Sequence, residues 1–248
     1  MNCLICGING KMGANLVELL KDDKDLNVVC GVDINQNGQK TPVYAAFNEV
    51  KEKVDVVIDF SSPAVLKDEL IWAVKNNCPV VLASTGYSAE DTKLIDATAK
   101  KIAVFKTGNF SLGINLLVKL VKKAAETLGE GFDIEIIEKH HSQKVDAPSG
   151  TALMLAEGVN EAYSGGKEYL YGREGIVGKR GNEIGIHAVR GGTIVGEHEV
   201  MFAGEDEVIT LTHSARSKRV FAVGAIRAAK WLAGKPAGKY DMNDVLDI

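Results

Sequence analysis

The apolar positions in the first hundred residues fall into short runs separated by amphipathic stretches. CLIC (Cys3–Cys6), LNVVCGVD (Leu26–Asp33), VDVVIDFS (Val54–Ser61), PVVLA (Pro79–Ala83) and IAVFK (Ile102–Lys106) are nearly continuous. Such runs are the mark of strands buried on both faces of a parallel sheet. Between them, Met12–Leu20 places apolar residues at Met12, Leu16, Leu19 and Leu20, a helical spacing. Pro63–Asn76, with proline near its start, and Ala89–Lys101 also read as helices. Repeated β-α units of this length predict a doubly wound α/β sheet.

Beyond residue 110 the pattern changes. Leu112–Leu128 is a long helical repeat, Phe132–Ile137 a strand and Ser149–Ala162 a helix. The glycine-rich stretch SGGKEYLYGREGIVGKRG (164–181) reads as a loop. EIGIHAVR (183–190), TIVGEHEVMFA (193–203) and EVITLTHS (207–214) follow, separated by Gly-Gly and GEDE turns. Strands without intervening helices predict an antiparallel or mixed sheet. Lys218–Leu232 reads as a closing helix and Tyr240–Ile248 as a short tail. The chain is therefore expected to form two domains of different type.

Composition narrows the function. The 248 residues are 46% hydrophobic and 25% charged with a net charge of −4, which gives no reason to expect nucleic acid or an anionic membrane as partner. The first residues, MNCLICGINGKMG, run directly into a strand and a glycine turn, so no signal peptide is expected. No apolar run approaches the ~20 residues that span a bilayer, and a cytoplasmic location is the expectation. Cys3 and Cys6 form a C-x-x-C, but in a strand rather than at a helix start, and no second pair completes a zinc site. All four cysteines read as buried reduced thiols, and no metal is expected.

Two stretches carry chemistry. Gly7-Ile8-Asn9-Gly10-Lys11-Met12-Gly13 lies between the first strand and the first helix. Glycines there let the backbone approach a pyrophosphate at the positive end of a helix. The spacing is G-x-x-G-x-x-G, with Asn9 where the usual G-x-G-x-x-G has a glycine. Asp33 ends the second strand about twenty residues on, where a carboxylate accepts both ribose hydroxyls of a dinucleotide. The ends of the other strands, Phe60-Ser61-Ser62, Ala83-Ser84-Thr85-Gly86 and Thr107-Gly108-Asn109-Phe110, would line the nicotinamide side.

The second stretch is EKHHSQKVDAPSGTA (138–152). A nicotinamide carries hydride, so a reductase also needs a proton source and a substrate anchor. His140, His141 and Lys144 are the available donors. Alternation along a strand keeps His140 and His141 from facing one pocket unless the strand ends there. Ser149, Gly150 and Thr151 open a helix, whose leading N–H groups and hydroxyls suit a carboxylate. Together these describe a reductase of a small anionic molecule.

The string H-H-x-x-K-x-D-A-P-S-G-T-A resembles the signature of the dihydrodipicolinate (4-hydroxy-tetrahydrodipicolinate) reductase family. G-I-N-G-K-M-G, S-T-G-Y, G-N-F-S-L-G-I-N, Y-G-R-E-G, V-R-G-G-T-I-V-G-E-H-E-V-M-F and T-H-S-A-R-S resemble further family blocks, in the same order. The resemblance covers essentially the whole chain. It implies a Rossmann-like domain, 1–109 completed by 217–248, and a mixed-sheet α+β domain, 110–216, for substrate binding and oligomerisation, usually as a homotetramer. It implies reduction of a small cyclic dicarboxylate in lysine and diaminopimelate biosynthesis. His140 matches the proton donor/acceptor, Lys144 the proton donor, His141 a substrate contact, and Ser149, Gly150 and Thr151 the carboxylate corner. Gly7, Ile8, Asn9, Gly10, Lys11, Met12, Asp33, Ala83, Ser84, Thr85, Thr107, Gly108, Asn109 and Phe110 match dinucleotide contacts. Ala83 stands where glycine is common, and Ile34 where some members carry an arginine for a 2′-phosphate, so NADH is expected to be preferred and NADPH tolerated. Two rival readings are another two-domain oxidoreductase of a small acid and a dinucleotide-sensing regulatory module. The first would lack the histidine–lysine cluster or carry a cysteine nucleophile in the second domain, and no cysteine follows Cys78. The second would carry a DNA- or partner-binding element, and no basic helix-turn-helix is evident.

Overall fold

A computed structural model describes residues 1–247. The N-terminal alternation becomes β1 (Asn2–Cys6), α1 (Lys11–Leu20), β2 (Asn27–Val32), β3 (Val43–Tyr44), β4 (Val56–Asp59), α2 (Leu66–Lys75), β5 (Val80–Leu82), α3 (Ala89–Ala99) and β6 (Ala103–Lys106). Next come α4 (Leu112–Leu128), β7 (Asp133–His140), α5 (Gly150–Asn160), β8 (Glu168–Tyr171), β9 (Glu183–Arg190), β10 (Gly196–Ala203) and β11 (Val208–Ala215). The chain closes with α6 (Arg219–Leu232), β12 (Gly238–Tyr240) and α7 (Met242–Leu246). Two units result: Met1–Ser111 with Arg219–Asp247, and Leu112–Lys218.

The first unit is a seven-stranded parallel sheet in the order β12-β6-β5-β4-β1-β2-β3, the Rossmann-like doubly wound plan. Its central strands β4 and β5 are buried at every position, which is why their sequences do not alternate. Each fully buried Val, Leu or Ile contributes about 1.5–3 kcal/mol. Helix α6 packs through small residues, Ala222, Gly224, Ala225, Ala228 and Ala229. A Cβ on Gly224 would overlap the Phe110 carbonyl oxygen at 1.7 Å. α3 starts on a capping box in which Ser88 and Asp91 satisfy each other's backbone N–H.

Three details differ from the sequence expectation here, the first being β3, a two-residue strand beside β2 in a stretch expected to carry no element. Pro63 opens a short 3-10 turn, Pro63–Val65, and the α-helix begins only at Leu66. An edge strand, β12, paired with β6, precedes the expected tail and overlaps it only at Tyr240, and the tail itself holds a capped helix, α7; its last residue, 248, lies outside the described residues. Three residues of strand are too few to show a period.

The second unit is a mixed sheet in the order β11-β10-β7-β9-β8, with β10 antiparallel to β7 and β11, and β9 parallel to β7 and β8. β7 and β10 alternate buried and half-buried residues, so only one face is fully covered. That face is apolar at one end, where Ile134, Ile136, Ile184, Ile186, Val200 and Phe202 meet Leu117 and Val121 of α4 and Leu155 and Val159 of α5. β8 lies inside the stretch expected to be a loop; its four residues, EYLY, pair with β9 between flanking glycines. β7 runs three residues further than expected, to His140, and that extension makes the site.

Candidate active site

In the first unit the predicted cofactor residues gather at the carboxyl ends of parallel strands. Gly7 has φ +76°, and a Cβ there would come within 3.0 Å of the Phe60 carbonyl oxygen. Gly7 N–H donates to Val32 O, and Gly10 N–H to Gly7 O. Gly10 caps α1 without a side-chain hydrogen bond, so Lys11 and Met12 open a helix whose leading N–H groups are not covered by a capping side chain. Gly13 permits the close approach: its Cβ would sit 2.2 Å from Gly7 O and 2.5 Å from Ile8 O. Ile8 itself is buried, filling the space beside Gly31.

Asp33 follows β2. Its carboxylate accepts from the backbone N–H of Asn9 and Asn35, both at 2.9 Å. Asn9 extends this clasp, its amide bonding Asn35 O and accepting from Gln39 at 2.9 Å. Ile34 beside it is 96% exposed. After β6, Thr107 donates to Asn109 O, and Ser111 N–H to Asn109 Oδ1, so the Thr107–Gly108–Asn109 loop braces itself. Phe110 is buried, its ring against Phe60 and Phe105 at centroid distances of 6.0 and 5.8 Å.

The organiser of this edge is Asp59, which the sequence reading passed over. It ends β4 fully buried and accepts from Ser61 N–H and Oγ–H, from Ser84 Oγ–H at 2.8 Å and from Tyr87 OH at 3.4 Å. Its own carbonyl accepts from Ala83 N–H. Burial raises its carboxyl pKa, and the Ser61 and Ser84 hydrogen bonds offset part of that. One aspartate thus ties Ser61 to the Ala83-Ser84-Thr85 loop. Cys6 joins this network, its thiol donating to Ser61 Oγ at 3.4 Å; all four cysteines are buried and free of disulfides, and burial raises each thiol.

In the second unit the covered face of the sheet turns polar beyond Ile136. Glu138 and His140 continue the alternation of Ile134 and Ile136, and His198 continues that of Phe202 and Val200. Glu138 is fully buried and accepts four hydrogen bonds: His140 Nδ1–H at 2.6 Å, both terminal nitrogens of Arg190 at 2.7 Å, and Ser149 N–H at 2.9 Å. Burial alone would raise its carboxyl pKa; Arg190, His140 and Ser149 outweigh that and hold it below the usual range. Removing one partner of such a buried pair costs about 3–5 kcal/mol.

His140 therefore spends Nδ1 on Glu138 and is itself largely buried, its ring 5.1 Å edge-on from that of His198. His141, just past the strand end, is only half-buried. Lys144 lies on the next turn, its ammonium held by both Asp146 oxygens at 2.7 and 2.9 Å. Arg190 also donates to Asp146 O, fixing that loop. Ser149 caps α5, accepting from Ala152 N–H at 3.1 Å and meeting His198 Nε2 at 2.9 Å. Gly150 is exposed at the helix start and Thr151 half-buried behind it.

Sequence reasoning missed Glu138, Asp146, Arg190 and His198. The signal for Glu138 was its register with Ile134 and Ile136, an acid on the buried parity of a strand. Among the described residues, no group of three or more His, Cys, Asp or Glu could hold a metal ion, and no helix is long and apolar enough to cross a membrane.

Comparison with known proteins adds to this geometry. Residues 1–110 match the family model described as dihydrodipicolinate reductase, N-terminus, and residues 113–246 the model for its C-terminus. A 4-hydroxy-tetrahydrodipicolinate reductase of Caldanaerobacter subterraneus subsp. tengcongensis is 52% identical over 98% of this chain and 97% of its own. One from Clostridium tetani is 45% identical over 98% and 96%. Among solved structures, a dipicolinate-bound dihydrodipicolinate reductase from Paenisporosarcina sp. TG-14 superposes with a TM-score of 0.81 at 26% identity, covering 97% of both chains.

Proposed function

The chain belongs to the dihydrodipicolinate reductase family and acts as a 4-hydroxy-tetrahydrodipicolinate reductase in lysine and diaminopimelate biosynthesis, and we propose that it does so with NADH preferred and NADPH tolerated. The turn at Gly7–Met12 fits a pyrophosphate, because a glycine N-cap leaves the leading N–H groups of α1 open and any Cβ at Gly7 would meet backbone. Asp33 at the end of β2 suits ribose hydroxyls and opposes a 2′-phosphate, and exposed Ile34 brings no guanidinium to offset that charge. Ala83–Thr85 and Thr107–Phe110 flank the nicotinamide side.

A nicotinamide bound here would supply a hydride to ring C4 of the dehydrated substrate. Everything else falls to the chain's own side chains. Lys144 leaves Asp146 to hold a substrate carboxylate or to deliver the proton at C3. His140, oriented through Nδ1, relays that proton from Nε2. His141 contacts the substrate, and the Ser149–Gly150–Thr151 corner receives a carboxylate at the start of α5. The observation that carries this assignment is the placement, around one strand end, of an oriented histidine, a loop lysine and a helix start. The dipicolinate bound by the Paenisporosarcina protein supports a planar dicarboxylate as ligand. Reduced, buried cysteines suit a cytoplasmic enzyme, and the family resemblance supports a homotetramer.

The test is NADH consumption with freshly generated aldolase product of pyruvate and aspartate semialdehyde. Lys144→Ala should lower kcat by about 10²-fold or more with dinucleotide affinity nearly unchanged; turnover surviving within a few-fold removes Lys144 from the mechanism. Pyridine-2,6-dicarboxylate should compete with substrate and lose affinity in Thr151→Val. A tenfold or greater preference for NADPH would refute the role given to Asp33.

A further inference from the structure

Glu138 is spent completely. Each carboxylate oxygen accepts two N–H donors: Oε2 takes His140 Nδ1 and Arg190 Nη1, and Oε1 takes Ser149 N and Arg190 Nη2. A protonated carboxyl would place its own hydrogen against one of those donors, so the group is ionised and acceptor-only. An ionised acceptor fixes the proton of neutral His140 on Nδ1 and leaves the lone pair on Nε2.

The Nε2 side is kept clear by Gly196 of β10, where a Cβ would sit 3.0 Å from Nε2. The charged and titratable groups facing this histidine are few. Glu138 lies on its own strand, and Arg190 stands opposite it on β9. His198 lies on β10, with His213 opposite it on β11. The Ser149 N–H belongs to the residue that caps α5, so the carboxylate that sets the histidine proton also sets where that helix begins.

We propose that Glu138, locked by Arg190, is a positioning residue for the reduction: it holds His140 as the Nδ1–H tautomer with Nε2 free to take and return a proton, and it fixes the start of α5 in the same bonds. The proposal rests on the reading of His140 as a proton carrier. Glu138→Gln keeps the shape but not the chemistry. One amide oxygen cannot accept from both His140 and Ser149, and the amide NH₂ faces whichever donor is left.

The experiment compares wild type, Glu138→Gln, Glu138→Asp and His140→Ala. In wild type, ¹⁵N NMR of selectively labelled histidine should show His140 as the Nδ1–H tautomer at neutral pH; an Nε2–H tautomer overturns the proposal and needs no variant to fold. Glu138→Gln should lower kcat at least tenfold, keep the NADH Kd within twofold, and populate the Nε2–H tautomer of His140, because the carboxylate that accepted the Nδ1 proton is gone. Glu138→Asp, which retains a carboxylate, should recover part of kcat and the Nδ1–H tautomer. If His140→Ala leaves kcat unchanged, the proton-carrier reading fails. If His140→Ala is damaging while Glu138→Gln keeps the wild-type kcat and tautomer, the Glu138 proposal alone fails.

Discussion

Acidification from pH 7 to pH 5 should cost this chain about 2 kcal/mol through one side chain, His198. Its ring is 4% exposed, Nδ1 has no hydrogen-bond partner, and Nε2 meets only Ser149 Oγ. Burial first, and the neighbouring His140 second, push its pKa from 6.5 down to about 4. The unfolded chain takes up a proton near pH 6.5, whereas the native one refuses it until about pH 4. Between those values the unfolded state binds more protons, so stability is full above the upper value and falls as pH drops. At 1.36 kcal/mol per unit, the loss is about 2 kcal/mol at pH 5 and about 3 kcal/mol at pH 4.

His213, lowered by burial, and Glu138, held low by its partners, slope in the same direction, so the wild-type curve alone does not isolate His198. His198→Gln does, since an amide can still bond Ser149 but does not titrate. Thermal melts of both proteins should diverge by about 4–8 °C between pH 7 and pH 5, at ~2–4 °C per kcal/mol for a chain of this size. Parallel curves over that interval would show that His198 is charged in the folded state, and would refute the reasoning.

Three further outcomes follow from close contacts and burial. Glu69 on α2 is fully buried with both carboxyl oxygens unpartnered, and burial holds its pKa well above the ordinary value. Its cost is absent below the ordinary glutamate pKa and grows as pH rises toward the raised one; Glu69→Met should stabilise by about 1–3 kcal/mol at pH 8, measured in urea, and flatten that slope. Gly13→Ala pushes a methyl into the Gly7 and Ile8 carbonyls, so it should cost about 1–3 kcal/mol and weaken NADH binding at least tenfold in a fluorescence titration. Gly196→Ala should displace the His140 ring, lowering kcat at least tenfold while the NADH Kd stays within twofold.

The parallel sheet was legible because its strands are buried on both faces and so read as unbroken apolar runs. The second sheet was legible less evenly. β9 to β11 carry eight residues each and show their alternation, but β8 offers only EYLY between glycines and gains its strand character from pairing with β9. β12 is likewise a strand because β6 presents an open edge, a property of the assembled sheet rather than of GKY. At the site, donors such as Lys144 stand out by type and clustering. The residues that orient others do not: Arg190 lies 52 positions from Glu138, and His198 lies 49 from Ser149. Glu69 shows the same blindness in a helix. It occupies the inward stripe of Leu66, Leu70 and Ala73, where its charge argues for the surface and its position argues for the core.

The nucleotide unit is discontinuous, with Leu112–Lys218 inserted between β6 and α6. During synthesis β6 emerges with its outer edge bare, and its partner β12 is not made until more than a hundred residues later. At ~5–20 residues per second, that interval lasts roughly 7–26 s. The inserted unit is contiguous and has its own core, so it can close first. The sheet begun earlier must wait, with an unpaired strand exposed to any other chain nearby. A ribosome-stalled chain ending before residue 219 should therefore hold a protected second unit and a protease-sensitive, aggregation-prone first one. The order in which the two halves mature is then the reverse of the order in which they begin.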